Sequence, residues 1–333
     1  MKIIIPMAGK GKRMRPHTIT TPKPLIKIAG KPIVQRLVED IVRVTTEPID
    51  EIAYVIGDFG EEVENQLKTI AENLSAKGTI YYQKEALGTA HAVMCAEPSL
   101  KERVIVAFAD TLFKADFKMD EEKEGIIWTH HVKDPSDFGV VTKNTDGIIN
   151  GFVEKPGKFV SDEAIIGIYY FRDGAYLKDE LQYLMNNNII KGGEYQLTDA
   201  LQNMMNKGTK FYTGAVDEWL DCGNKNATVY TNQRILEINN IEKQIADTVQ
   251  KHNSIIIEPC YIGENAVIKN SIVGPHVSIG SETRIENSII TNSIIQSNSL
   301  LENTNMDNSM VGNYVKYMGR VADVSIGDFT QLS

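Results

Sequence analysis

Two carboxylates, two cations and a glycine-rich turn are the residues of this chain best suited to chemistry. Asp110 follows the apolar run Val104–Phe108, and Asp221 lies in Trp219-Leu220-Asp221-Cys222-Gly223. A carboxylate at the C-terminal end of a strand is poised for a metal rather than for core packing, although a lone Asp in a turn is ordinarily a cap. The cations belong to the stretch from Ile3 to Pro32. Ile3, Ile4 and Ile5 end at Pro6 and run into a turn holding Gly9 and Gly11; Arg13 follows, and Lys23 sits between Pro22 and Pro24. A buried strand opening into Gly-x-Gly leaves backbone N–H groups free for phosphate oxygens, and glycines admit a polyphosphate without Cβ clashes. The flanking prolines restrict the backbone that presents the Lys23 amine.

Neither familiar phosphate-binding template fits. A dinucleotide fingerprint needs a third glycine where Met14 stands, and a P-loop needs Ser or Thr after Lys12, where Arg13 stands. Two further segments carry polar groups of use to a ligand. Gln83 precedes Leu87-Gly88-Thr89, and a carboxamide offers a donor and an acceptor to a pyrimidine edge. Phe138-Gly139-Val140-Val141 and Val153-Glu154-Lys155-Pro156 offer a carboxylate that can accept from hydroxyl groups and an amine that can neutralise a phosphate. The six histidines show no ligand spacing, and no Ser-His-Asp or Cys-His arrangement is legible.

The elements that must position these residues read as strands alternating with helices. Apolar side chains at 33, 34, 37, 38, 41 and 42 make a helical stripe, and Val63, Leu67, Ile70 and Leu74 make another. Strand-like runs fall at 52–56, 79–82 and 104–108, with a short helix near 89–96. Such alternation implies parallel pairing, helices on both faces and ligands at the carboxyl ends of strands. More strands are expected at 126–131, 139–142, 148–153 and 165–171, then helices through Leu177–Leu184 and Leu197–Met205. A last helix is expected over 225–246, with Ile235, Ile238, Ile241 and Ile245 on its apolar side.

The tail differs in kind. Asn-Ser followed by two aliphatics recurs at 253, 270 and 287, 17 residues apart, and Ile-Gly recurs at 262 and 279. So short a period predicts a solenoid, a three-sided coil with one inward residue per short strand. The expected domains are 1–250, catalytic, and 251–333, the coil.

The 333 residues are 42% hydrophobic and 24% charged, with a net charge of −9. That balance argues against a general nucleic-acid or membrane-surface binder and makes the basic loop a local feature, as a site for an anion would be. The three cysteines, Cys95, Cys222 and Cys260, suggest neither a disulfide framework nor a zinc site, which fits a reducing cytosol. No signal-peptide pattern and no apolar run near the ~18 residues of a membrane span are found, so a cytoplasmic protein is expected.

The string Gly9-x-Gly11-x-Arg13-Met14-x-Pro16-x-Thr18-x3-Pro22-Lys23-Pro24-Leu25, closing with Gly30-Lys31-Pro32, resembles the signature of the sugar-1-phosphate nucleotidyltransferases. Gly192-Gly193-Glu194-x-Gln196-Leu197-Thr198-Asp199 is similar to a string in the glucose-1-phosphate uridylyl- and thymidylyltransferases. The resemblance spans roughly residues 1–235 and departs at Ala109, where the family usually has Gly. The tail resembles the left-handed β-helix of hexapeptide repeats.

The resemblance implies a Rossmann-like α/β fold with a mixed, mainly parallel sheet, followed by a short left-handed β-helix. It implies nucleotide contacts at Ala8, Gly9, Gly11, Arg13, Gln83, Gly88, Thr89 and Asp110, and sugar-phosphate contacts at Lys23, Gly139, Glu154, Lys155 and Gly167. It also implies Mg2+ on Asp110 and Asp221, with Arg13, Lys23, Asp110 and Asp221 catalytic. The implied partners are a nucleoside triphosphate, dTTP or UTP, and a sugar 1-phosphate, glucose 1-phosphate first; the protein is expected to be a homo-oligomer. The alternatives are a mannose-1-phosphate guanylyltransferase, an N-acetylglucosamine-1-phosphate uridylyltransferase, or a silent subunit that senses nucleotide sugars.

Overall fold

The structure is a computed structural model that describes residues 1–238 and 244–320. The chain divides into two compact units, one of Met1–Ile26 and Pro32–Gly223, the other of Lys27–Lys31 and Asn224–Ser333.

The first unit is an α/β layer structure. Its strands are β1 (Lys2–Pro6), β4 (Glu51–Ile56), β5 (Lys77–Tyr82), β6 (Val104–Ala107), β7 (Thr111–Lys114), β8 (Gly125–His131), β9 (Gly139–Lys143), β10 (Ile149–Glu154), β11 (Glu163–Phe171), β12 (Phe211–Ala215) and β13 (Glu218–Asp221). The short pair β2 (Lys27–Ile28) and β3 (Lys31–Pro32) lies between β1 and helix α1 (Ile33–Val44) in the chain. The main sheet runs β10-β9-β11-β6-β1-β4-β5, with β8 pairing β11 and β12. β6, β1, β4 and β5 are parallel, and β11 enters antiparallel to β6, β8 and β9. Ile3, Ile4 and Ile5 have no exposed surface, as expected of a central strand covered on both faces.

Helices α1, α2 (Glu61–Glu72), α3 (Thr89–Met94), α4 (Gly174–Asn186) and α5 (Leu197–Asn206) match the apolar stripes read from the sequence. The stripe of α1 is fully covered at Ile33, Val34, Leu37, Val38 and Ile41. The core continues through Val104, Val106, Phe171, Leu181, Leu201 and Phe211.

In the second unit, α6 (Lys225–Ile238) is shorter than expected. Ile241 lies outside the described residues. Ile245 is not helical; it forms a parallel bridge with Ile262. The tail is a stack of coils with three parallel sheets, consistent with the left-handed parallel β-helix. Partners one coil apart, such as Ile268 and Ile285 then Leu301, stack inward and are fully buried. Two points differ from the sequence reading. The coil shortens by one residue after the second repeat, because Arg284 pairs Leu300 rather than the residue 17 further on. One of the three walls also turns two side chains inward per strand, Cys260 with Ile262 and Val277 with Ile279.

The Asn-Ser repeat has a physical cause. Asn253, Asn270, Asn287 and Asn303 all have positive φ, a backbone region that Asn tolerates better than other side chains. Their amides form a ladder along one corner, at 3.0, 3.2 and 3.2 Å. Beside them the hydroxyls of Ser254, Ser271 and Ser288 accept backbone N–H groups from the next coil, at 3.1, 3.0 and 3.2 Å.

Candidate active site

β1 and β6 are parallel neighbours, so the glycine turn and Asp110 emerge at the same edge of the sheet. A cavity of about 420 Å³ opens there, within the first unit. Ala8, Gly9, Gly11, Arg13, Lys23, Gln83, Gly88, Thr89, Asp110 and Gly223 are among the residues that line it. The eight residues expected to meet a nucleotide, and Lys23 from the expected sugar-phosphate contacts, therefore line one cavity.

The two glycines of the turn serve differently. Gly11 has φ +55°, and a Cβ there would stand 3.0 Å from Thr18 Cγ2 and 3.2 Å from Lys23 Cβ. Thr18 Oγ1 also donates to Gly11 O at 2.8 Å, so the turn is closed on the segment bearing Lys23. Gly9 faces open space, and a Cβ there would have no protein atom within 4 Å. Buried Met14 anchors the turn that holds Arg13 out at the cavity.

The aspartates meet through a ribbon the sequence did not reveal. β7 and β13 are antiparallel, with Asp221 opposite Thr111, and Cys222 N donates to Asp110 O at 2.9 Å. Gly223 N donates to Asp221 Oδ1 at 2.9 Å. Lys23 Nζ, almost fully buried, is 2.9 Å from Asp110 Oδ2. Burial, and next the negative charge of Asp110, raise the Asp221 pKa above its ordinary value; the Gly223 N–H, Lys23 and Arg13 oppose that shift.

Two crowded carboxylates are what a hard cation relieves. No group of three or more His, Cys, Asp or Glu suited to a metal occurs among the described residues. This donor set fits a divalent ion that takes one or two carboxylates and completes its shell with water and substrate phosphates.

Among the residues expected to meet a base, Gln83 Nε2 donates to Gly88 O at 3.3 Å and lies 3.2 Å from His91 Nδ1. Gly88 has φ +113°, and a Cβ there would strike the Tyr195 backbone at 2.4 Å. Thr89 Oγ1 accepts from Leu197 N at 2.9 Å. The Leu-Gly-Thr turn is thus packed directly on the Glu194–Thr198 segment.

The other residues expected to meet a sugar phosphate, Gly139, Glu154, Lys155 and Gly167, are not in that cavity lining. Gly139 and Glu154 are partners across β9 and β10, and a Cβ on Gly139 would meet Glu154 Oε2 at 3.0 Å. Desolvation raises the Glu154 pKa; Lys155 opposes that shift and Asp199 adds to it. Lys155 N donates to Phe138 O at 3.1 Å. Gly167 sits in an irregularity of β11 with φ +85°, and its carbonyl accepts from Phe108 N at 2.9 Å. Phe108 itself lines the cavity. The Phe138 ring meets Trp219 edge-on, 4.8 Å between centroids, and Trp219 Nε1 donates to Thr111 Oγ1 at 2.6 Å. That chain of contacts ties the β9–β10 hairpin to the ribbon holding the aspartates.

Sequence reasoning did not single out Asp199, whose charge acts on Glu154. It is buried and paired with Lys191, yet its Oδ2 has no hydrogen-bond partner among the described residues. Its place in the Gln-Leu-Thr-Asp string was the available signal. Glu194, from the same segment, lines the cavity.

Comparison with known proteins agrees with this geometry. The nucleotidyl transferase family profile matches residues 2–238. The chain is 28% identical to a glucose-1-phosphate thymidylyltransferase of Streptomyces antibioticus, over 95% of this chain and 93% of the relative. It is 32% identical to the bifunctional protein GlmU of Methanococcus maripaludis, over 81% of this chain but 62% of that longer protein. Among solved structures, a UDP-glucose pyrophosphorylase with UDP-glucose superposes with a TM-score of 0.58 at 24% identity, over 71% of this chain and 98% of that one, a likeness of fold. No helix among the described residues is long and apolar enough to cross a membrane. With a family match over most of its length and the family's motifs converging on one sheet edge, this chain belongs to the nucleotidyl transferase family, as an enzyme of the sugar-1-phosphate class.

Proposed function

We propose that this enzyme transfers a thymidylyl or uridylyl group from dTTP or UTP to glucose 1-phosphate, releasing pyrophosphate. The observation that carries this reading is the convergence of Lys23, Asp110 and Asp221, beside Arg13, at the mouth of the glycine turn. A phosphate oxygen of the sugar 1-phosphate attacks the α-phosphorus in line. The new P–O bond forms as the bond to the β-phosphate bridging oxygen breaks, and that oxygen leaves with pyrophosphate. The nucleophile is already an anion, so no general base is needed. Bringing two polyanions together is the difficulty, and positioning with charge neutralisation supplies most of the catalysis.

Arg13 holds the triphosphate and offsets charge on the departing pyrophosphate. Lys23 exchanges its Asp110 partner for the α-phosphate and the incoming sugar phosphate. Asp110 and Asp221 hold Mg2+, which supplies charge screening and orientation of the phosphates when bound. Gln83 and Gly88 meet the pyrimidine. Glu154 and the Gly139 backbone meet sugar hydroxyls, and Lys155 the sugar phosphate. Gly167 shapes that wall from β11.

A pyrophosphate-release matrix tests the reading, with dTTP, UTP, CTP, GTP and ATP against glucose, mannose, galactose and N-acetylglucosamine 1-phosphates. Fastest release with dTTP or UTP and glucose 1-phosphate is expected. A GTP maximum with mannose 1-phosphate would overturn the base and sugar assignments together. Absence of release from every pair would point to a silent sensor. The coil of residues 251–333 is proposed to serve assembly into a homo-oligomer. In support, Ile255, Ile272 and Ile289 stack in register along one wall, and Ile255 and Ile289 are exposed. Light scattering before and after removal of 252–333 tests this; an unchanged mass rejects it.

A further inference from the structure

The side chain of Gln83 can offer a base either an acceptor or a donor, and its neighbours decide which. A backbone carbonyl only accepts, so the Gln83 atom facing Gly88 O at 3.3 Å is the amide nitrogen. The same nitrogen lies 3.2 Å from His91 Nδ1. One N–H on each neighbour uses both donors of the amide. Oε1 is then the group left over, with no hydrogen-bond partner among the described residues, on a side chain that lines the cavity.

His91 Nδ1 accepts only when the ring proton sits on Nε2. That atom lies 4.0 Å from Cys95 Sγ, one helical turn on, a thiol able to accept its N–H. The tautomer is thus chosen by the Gln83 amide and is compatible with Cys95. Two acceptors, Gly88 O and His91 Nδ1, hold the amide in one orientation; with Gly88 O alone, one N–H would be unpaired and free to turn toward the ligand.

We propose that His91 is a positioning residue for base selection, holding Gln83 with its carbonyl oxygen toward the base. The site then accepts a pyrimidine that presents an N–H at position 3, as uracil and thymine do. It rejects cytosine, whose N3 is an acceptor and would face Oε1 lone pair to lone pair. The inference rests on the proposed role of Gln83 as the base contact, and deepens it by naming what enforces the choice. Cytosine is the telling competitor because it matches uracil in size and differs in the donor pattern of this edge.

The test is the ratio of kcat/KM for UTP to that for CTP, with glucose 1-phosphate, in the wild type and in three variants. The ratio is independent of the fraction of folded enzyme in each preparation. His91 is only partly buried on a short helix, so substitutions there leave the main core intact. His91→Leu and His91→Phe remove the acceptor, the second keeping a flat ring. Each should lower the UTP:CTP ratio about tenfold, the scale of one lost hydrogen bond, chiefly through KM. His91→Asn keeps an acceptor near the Nδ1 position and should restore most of the ratio, which a purely structural role for the ring would not predict. Wild-type ratios in both the Leu and Phe variants, or an Asn variant as unselective as Phe, would overturn the proposal while leaving the base assignment standing. A wild type that does not prefer UTP to CTP would instead remove the base assignment, and the proposal with it.

Discussion

Replacing Asp110 or Asp221 by Asn is the sharpest trial of the site, because Asn keeps the size and removes one charge. Two carboxylates here face two cations, Lys23 and Arg13, so their formal charges balance. Either substitution leaves a net positive site, into which a divalent cation must be drawn. One unit charge removed from ~4 Å of another is worth roughly 4 kcal/mol at an effective dielectric of ~20, and the interaction doubles for a divalent ion. Substrate phosphates and water make up part of that loss. The expected cost in turnover is on the order of 100-fold for each single variant, the scale of losing a main electrostatic element. The double variant should lose less than the product of the two, because both changes break one site. The assay is pyrophosphate release at saturating triphosphate over a Mg2+ titration, with circular dichroism to confirm folding. A single variant with near-normal Mg2+-dependent turnover would strike that carboxylate from the site and refute the two-aspartate reasoning.

Three other outcomes follow from the same geometry. The raised pKa of Asp221 means that, just above the ordinary carboxylate range, a proton still competes with the cation; divalent-metal affinity should climb with pH through that window and metal binding should release protons, as isothermal titration in buffers of different ionisation enthalpy will show. Affinity flat with pH there would contradict a raised Asp221 pKa. Gly88→Ala meets the Tyr195 backbone at 2.4 Å with φ +113° and should cost more than about 2 kcal/mol in urea unfolding. Gly9→Ala meets nothing and should stay within about 0.5 kcal/mol of wild type while weakening triphosphate binding; equal stability losses at the two glycines would refute the distinction. Asn270→Ala forces a non-Asn side chain into φ +49° and breaks two rungs of the amide ladder, so the coil should lose about 1–2 kcal/mol in urea unfolding, with transferase activity little changed.

The sequence alone determined the elements whose signal is local. The triple isoleucine of β1, the stripes of α1 and α2 and the Asn-Ser period of the coil each repeat within a few residues or one turn of structure, so a window of sequence holds the whole pattern. The ordered motifs around Gly9, Gly88, Asp110, Glu154 and Asp221 likewise announced a family. The meeting of those motifs was left to the tertiary structure. Thr111–Lys114 and Glu218–Asp221 are four residues each, too short to show alternation, and pair across more than 100 residues of chain. Their register sets Asp221 beside Asp110, and burial, then the charge of Asp110, raises the Asp221 pKa. The exit helix was overextended for a related reason: Ile245 fits a helical spacing, but pairing with Ile262 at the start of the coil overrides that local preference. The orientation of the Gln83 amide is the finest such case. Gln83, Gly88 and His91 are close in sequence, yet only the fold of the turn places a carbonyl and a ring nitrogen on the same amide nitrogen.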